Sequence, residues 1–474
     1  MCNSTYRAVL ALVLCSAFVT GTVLAKEIII ADPTSLSLID TALPGDVITL
    51  KNGNWNDALI QIKKGGTEKA PVLIKAETPG GVVLSGTSSL VIDAPYVTID
   101  GLLFTDGAIA KESVIWFKSH HGIVRNTAII NYNPANFKTK YFWVVFSGEN
   151  NLIDKCYFKG KNNMGPVVNN DDGDCRSNSV IRSYFKDIPL KAKVNGREIM
   201  RIWGAGHADA SSTDGSYFTI MENLFEHTDG EGAEIISLKS NNNKVLRNTI
   251  ITSAGCLNIR RGNFNEVKGN VILGQGMPGA MGIRMSGESN LVEGNFVSGC
   301  EYGIQVSSGE HWTDAITPAY VINQNPNNAK LGVANKARYP QNKYVTIVSN
   351  MMIGNSGPDL NIGGNYKKHW PEQQNILIPE ECLIKNNTFV RPKGGTSVIG
   401  ATPDTNPPLD RFTFKPNIYA GNLLYGGKNS YAESAAGFKE EVIPAGWSED
   451  KAVAGFKPLT PVDVGPDWVR EKGL

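Results

Sequence analysis

Lys239, Arg260 and Arg284 end three short β-rich runs, SLK, NIR and GIR, at intervals of 21 and 24 residues. If that interval is one structural repeat, the three cations stack on one face. At ~5 Å and an effective dielectric of ~20, two unit charges repel by about 3 kcal/mol. Such repulsion would move a lysine roughly two pKa units toward neutrality and make its amine a base, while the arginines stay charged. Just upstream, DGEGAEII supplies Asp229, Glu231 and Glu234. These acids either pair with the cations or hold a hard cation through carboxylate oxygens. NGREIMRIW, residues 195–203, adds Asn195 and Arg201 on the preceding repeat. The six histidines, among them His120, His121, His207 and His227, lack metal spacing or a serine partner. His227 lies nearest the acids and is the histidine to place beside a substrate.

The elements that would position these groups follow from one recurring phrase, a β-branched run, then Asn, then a second apolar run. It recurs in HGIVRNTAII, YFTIMENLFE, NKVLRNTII, NEVKGNVIL, NLVEGNFVS, YVTIVSNMMIG, CLIKNNTFV and NIYAGNLLYG. The aligned asparagines are Asn126, Asn223, Asn248, Asn270, Asn295, Asn350, Asn387 and Asn422, and three further copies place Leu102, Cys156 and Ser183 in that slot. Asn223, Asn248, Asn270 and Asn295 stand 25, 22 and 25 residues apart. A period of this size, made of short strands with no helix between them, predicts an all-β, right-handed parallel β-helix. Longer gaps are loops thrown out from the column. The recurring Asn forms a side-chain ladder at a bend. Coils rise by the strand spacing, ~4.8 Å, so aligning SLK with NIR and NIR with GIR puts the three cations on three successive coils. Strand alternation then points Leu238, Ile259 and Ile283 inward and the cations outward.

Composition sets the outer bounds. The 474 residues include 49 Gly, and 46 Lys plus Arg face 45 Asp plus Glu. No bulk positive field points to nucleic acid or an anionic membrane. Arg7, the apolar run AVLALVLCSAFV and the small residues Val23 and Ala25 read as a secretory signal over 1–25, processed after Ala25. The mature chain from 26 to 474 reads as one solenoid domain with an irregular tail from about residue 426, with no membrane span, and secreted or periplasmic. Its cysteines, Cys156, Cys175, Cys256, Cys300 and Cys382, are odd in number and irregularly spaced, as buried small residues would be.

The stretches NGREIMRI, DGEGAEIISLKS, CLNIRRGN and GIRMSGE, in that order, resemble the family 6 polysaccharide lyases, which include alginate lyases and chondroitinase B. The likeness extends to GNWNDALIQIKKGGTEKAPVLIKAETPG and KPLTPVDVGPDW, nearly the whole mature chain. It implies β-elimination on an anionic polysaccharide: the C5 proton of a uronic acid is removed and the oxygen on C4 leaves. Lys239 matches the family's general base and Arg260 the group that assists the leaving oxygen. Asn195, Glu231 and Glu234 match positions that bind calcium, which neutralises the substrate carboxylate. Arg284 and Arg201 would clamp neighbouring sugar acids. The family spaces its calcium glutamates two apart and this chain three, so either a bulge restores the geometry or the calcium site is altered. GIRMSGE and the doublet Arg260-Arg261, where many relatives have Arg-His, favour alginate over dermatan sulfate. Trp203, His311-Trp312 and Tyr320 are aromatic candidates for stacking on sugar. A hydrolase would need paired carboxylates, for which only Asp171 and Asp172 in a polar loop offer themselves. A uronan epimerase and a noncatalytic glycan-binding solenoid are the remaining alternatives.

Overall fold

The computed structural model describes residues 25–171, 175–191, 194–204, 213–312, 339–366, 373–403 and 412–474. All but the last residue of the expected leader lies outside these, as do Asp172, His207, Tyr320 and the side chains of His311 and Trp312. The chain winds into the expected parallel β-helix. Its first wall is a sheet of 14 strands beginning with Glu27–Ile30, its second a sheet of 14 beginning with Gly53–Asn56, and its third a sheet of 13 beginning with Leu59–Ile62. A separate antiparallel pair joins Gly309–Trp312 to Gln373–Leu377.

Alternation explains the walls. Thr219–Met221, Lys244–Leu246, Glu266–Lys268 and Leu291–Glu293 pair in register on the first wall. Their central residues, Ile220, Val245, Val267 and Val292, are fully buried, and their flanking residues face out. On the second wall Phe158, Phe185 and Phe225 are register partners whose rings stack inside the column at 4.9 Å. The outer face of the second wall is apolar too, and the C-terminal segment covers it. Trp468 and Val469 pack on Leu103, Ala128, Tyr157 and Tyr184, while Phe456 packs near Phe296. Cys156, Cys175, Cys256, Cys300 and Cys382 are all buried.

The corner between the first and second walls carries the asparagine ladder. The Oδ1 atoms of Asn248, Asn270, Asn295, Asn350, Asn387 and Asn422 each accept both the backbone N–H and the side-chain amide of the asparagine one coil earlier, all at 2.9 or 3.0 Å. Asn126 is not part of it. The strand Ile123–Arg125 pairs with Leu152–Asp154, which puts Thr127 rather than Asn126 level with Cys156, and Thr127 Oγ1 accepts the Leu102 N–H (3.3 Å). The residue before each slot has a left-handed backbone: Gly101, Asn126, Lys155, Arg182, Glu222, Arg247, Gly269, Gly294, Ser349, Asn386 and Gly421. Asn126 fills that turn position, which asparagine tolerates, and its side chain bonds Asp100 instead (3.0 Å).

A second ladder, unanticipated from sequence, lies at the corner between the third and first walls. Asn243, Asn265 and Asn290 bond in series, and Asn151 bonds Asn178 in the same way. Each stands one residue before a first-wall strand. This corner fixes the ends of the third-wall strands, where the candidate site sits.

Candidate active site

Lys239 and Arg260 follow directly on the third-wall strands Glu234–Leu238 and Gly255–Ile259. Leu238 pairs with Ile259, and both are fully buried, so Lys239 and Arg260 stack on consecutive coils and face outward. Arg284 sits elsewhere than expected. Leu257 pairs with Ile283 and Asn258 with Arg284, so Met285, not Ile283, lies level with Ile259. One of the two positions comes from a register shift between Gly255 and Leu257, where the strand Ala280–Met285 takes an extra residue. A displacement of two positions keeps Arg284 on the outer face but moves it along the coil, into the column of Ser237 and Asn258. Arg201 stands in that same column, three coils from Arg284 and thus about 14 Å away. Its Nε donates to Asn169 Oδ1 (2.9 Å) and its guanidinium lies 5.6 Å from the Phe142 ring, outside the cleft described next.

An open cleft of ≈ 530 Å³ brings together Asn195, Glu231, Glu234, Lys239, Arg260 and Arg284, and adds Tyr339. The stacked cations are interleaved with acid. Glu234 Oε1 accepts from Arg284 (2.9 Å), Arg260 (3.4 Å) and Asn258 Nδ2 (2.7 Å), and its Oε2 accepts from Ser237 (2.5 Å). Burial works against the Glu234 charge, but the two guanidinium groups and the serine outweigh it and hold the carboxyl below its usual range. Lys239 Nζ donates to Glu198 Oε1 at 2.8 Å, with the Glu198 side chain 1% exposed. The Lys239 amine also lies 4.9 Å from the Trp203 ring, which Arg261 shares at 5.0 Å.

Glu198, Glu231 and Glu234 each offer a carboxylate oxygen within 4.8 Å of the others, a group that could bind a metal ion. Oxygen-only donors suit a hard cation. Glu198 Oε2 is buried with no hydrogen-bond partner among the described residues, an acceptor left for such an ion. The strand carrying Glu234 is bulged between Glu234 and Ile236, at the glutamate pair whose spacing is one residue longer than the family's. Arg197 builds the floor: its guanidinium donates to Gly230 O (2.7 Å) and Pro189 O (3.1 Å) and anchors the turn leading to Glu231. That turn requires Gly230, whose φ is 54° and whose Cβ would lie 2.4 Å from Arg197 O.

His227 does not join the cleft. It lies within the strand Leu224–Thr228 of the second wall, is exposed, and faces Asp187 at 3.4 Å. Proximity in sequence to Glu231 misleads because the chain turns a corner between them. Two residues of the site, Glu198 behind Lys239 and Tyr339 in the cleft lining, escaped the sequence reading. Glu198 lies inside the quoted NGREIM run but precedes its strand, so alternation assigns it no face; Tyr339 sits far along the chain with no periodic signal.

Burial, with the Glu198 carboxylate next to it, pushes Glu231 up to about 7, against donation from the Gly196 and Arg197 amides. Because the folded-state value is raised, the stability linked to this group is complete below the ordinary glutamate range and is lost as pH rises through about 7. In chelator, wild-type protein should therefore lose more thermal stability than Glu231→Gln between about pH 5 and about pH 8. Parallel melting curves for the two proteins would contradict this. A divalent ion competes with the same proton, so its affinity should rise across the same interval.

The sequence model of the Chondroitinase B family matches residues 34–429. Among solved structures, the family 6 polysaccharide lyase Pedsa3628 from Pseudopedobacter saltans is 39% identical, with a TM-score of 0.82 over 93% of this chain and 99% of its own. A mannuronic acid specific family 6 lyase from human gut microbiota shares the fold at 22% identity and a TM-score of 0.75, over 94% and 97% of the two chains. The family 6 alginate lyase AlyGC does so at 23% and 0.76, over 94% of this chain and 59% of its own. No curated protein matches the chain.

Proposed function

Since the chain belongs to the Chondroitinase B family, that of the family 6 polysaccharide lyases, we propose that it cleaves alginate by β-elimination, leaving an unsaturated sugar at each new end. The observation that carries this reading is the stacking of Lys239 on Arg260 in one cleft, beside a partnered acid cluster.

Arg284 and Arg260 hold the uronate from the column side, with Glu234 fixing both guanidinium groups in place. Lys239 takes the C5 proton. The ammonium that forms faces Glu198 at 2.8 Å, so the charge arises against a waiting carboxylate. The C5–H electron pair becomes the C4–C5 double bond, the C4–O4 bond breaks, and Arg260 stabilises the negative charge gathering on O4. Arg260 does not itself give O4 a proton, because a guanidinium keeps its proton to pH values above 12. Glu198, Glu231 and Glu234, with Asn195 beside them, would hold calcium, and calcium when bound neutralises the substrate carboxylate and acidifies C5. No described helix is long and apolar enough to cross a membrane, and the leader read at 1–25 suits an enzyme whose polymer lies outside the cytoplasm.

The test is near-ultraviolet absorbance, which reports the conjugated double bond, on mannuronate blocks, guluronate blocks and dermatan sulfate. Alginate blocks should give the signal and chelator should reduce it. Signal from dermatan sulfate alone would overturn the substrate. Absence of signal on every polymer would overturn the elimination itself and leave epimerisation or binding.

A further inference from the structure

A β-elimination needs a proton for the departing oxygen, and neither Lys239, which accepts one, nor Arg260, which cannot release one, supplies it. Glu231 also lines the cleft but is assigned above to the metal, and among the other described residues lining the cleft one more carries a transferable proton. Tyr339 lines it, and Arg260 Nη1 donates to the Tyr339 hydroxyl oxygen, with the guanidinium carbon 4.1 Å from the ring centroid. Because Arg260 is the donor in that bond, the phenol's own O–H remains to be given, and among the described residues no acceptor takes it.

The phenol is held by built structure. The Tyr339 carbonyl accepts the Glu310 N–H at 2.8 Å. Two residues on, the chain is buried. Gln341 Nε2 donates to Ile378 O (2.8 Å), and Asn342 Nδ2 donates to Ser307 O (2.7 Å) and Met285 O (3.0 Å). Met285 directly follows Arg284, so Tyr339 is tied to the coil that carries the substrate arginine.

We propose that Tyr339 is the proton donor to the leaving oxygen, with Arg260 holding the phenol in line and stabilising the phenolate. This rests on the elimination reading. The balance is complete: the C5 proton goes to the Lys239 amine, its electron pair forms the C4–C5 double bond, the C4–O4 pair leaves with O4, and O4 takes the Tyr339 proton. The products are a lysine ammonium and a phenolate beside Arg260. Solvent returns the enzyme to its starting state by taking one proton from the first and giving one to the second.

Tyr339→Phe in the full chain keeps the ring against the guanidinium and removes only the hydroxyl. On the alginate block that wild type cleaves best, kcat should fall about 10²-fold while KM stays within about two-fold. A ring-fluorinated tyrosine at 339, whose phenol is more acidic, should move the alkaline limb of the pH–rate profile to lower pH, which a purely packing role would not do. An active wild type with an unimpaired Tyr339→Phe variant, or an alkaline limb that stays in place, overturns the assignment of Tyr339 alone. A wild type that makes no unsaturated product from any uronan overturns the elimination and this step with it.

Discussion

Lys239→Gln should leave a folded protein that forms unsaturated product about 10⁴-fold more slowly than wild type. The choice of glutamine matters because of Glu198. Its carboxylate is 1% exposed and, among the described residues, its Oε2 has no partner and its Oε1 accepts from Lys239. Glutamine still donates to Oε1 but cannot take a proton from carbon. Alanine would leave both oxygens of a buried carboxylate unpaired, at a cost of about 3–5 kcal/mol, so its lost activity would be mixed with lost stability. Lys239→Arg separates charge from basicity: it keeps a cation against Glu198 and should be as inactive as glutamine. Progress curves at a temperature well below each variant's melting point make the comparison. Product at the normal rate from either variant would remove Lys239 as the base.

The route from sequence to this site worked where a physical constraint repeats and failed where it does not. The column was legible because every coil needs the same inward β-branched residues and the same bonded slot at one corner, so Asn223 through Asn422 mark the coils. Lys239 over Arg260 followed from the matched runs SLK and NIR, whose partners Leu238 and Ile259 do pair. Arg284 slipped by two positions because GIR looks like NIR, whereas the extra residue that shifts the strand lies upstream, near Ala280. Asn126 was misplaced for a related reason: left-handed corner and ladder slot are adjacent, and asparagine suits both. Charge neighbours were harder still. The like-charge stack read from sequence is offset by acids: Glu198 pairs with Lys239, and Glu234 pairs with both Arg260 and Arg284. Glu198 comes from the turn before its strand, and Tyr339 from the far side of the long interval between Asn295 and Asn350, so neither carries a spacing that points to the cleft.

The ladder supplies the second large effect. Asn270 Oδ1 accepts the Asn248 N–H (2.9 Å) and the Asn248 side-chain amide (3.0 Å), and Asn270 Nδ2 donates to Val245 O and Asn295 Oδ1 (both 2.9 Å). All of these atoms belong to buried residues. Asn270→Ala removes five side-chain bonds together, one of them a 3.3 Å bond to Lys268 O, and takes the acceptor from the buried Asn248 N–H and from the Asn248 side-chain amide, at about 1–3 kcal/mol for each stranded group. The expected loss is about 3–5 kcal/mol, read as a lowered urea midpoint. Serine should fall between the two, because Ser183 shows what a hydroxyl can do in this slot: it accepts the Cys156 N–H (3.1 Å) but passes nothing along the column. The same substitution separates scaffold from site. Asn270 lies at the corner between the first and second walls, whereas Lys239 and Arg260 hang on the third wall and are bounded by the other ladder, through Asn243 and Asn265. Neighbouring coils interact mainly along the column, so Asn270→Ala should keep wild-type kcat at temperatures where it stays folded. A collapse of kcat with an unchanged urea midpoint would mean that this corner reaches the cleft by a path other than stability.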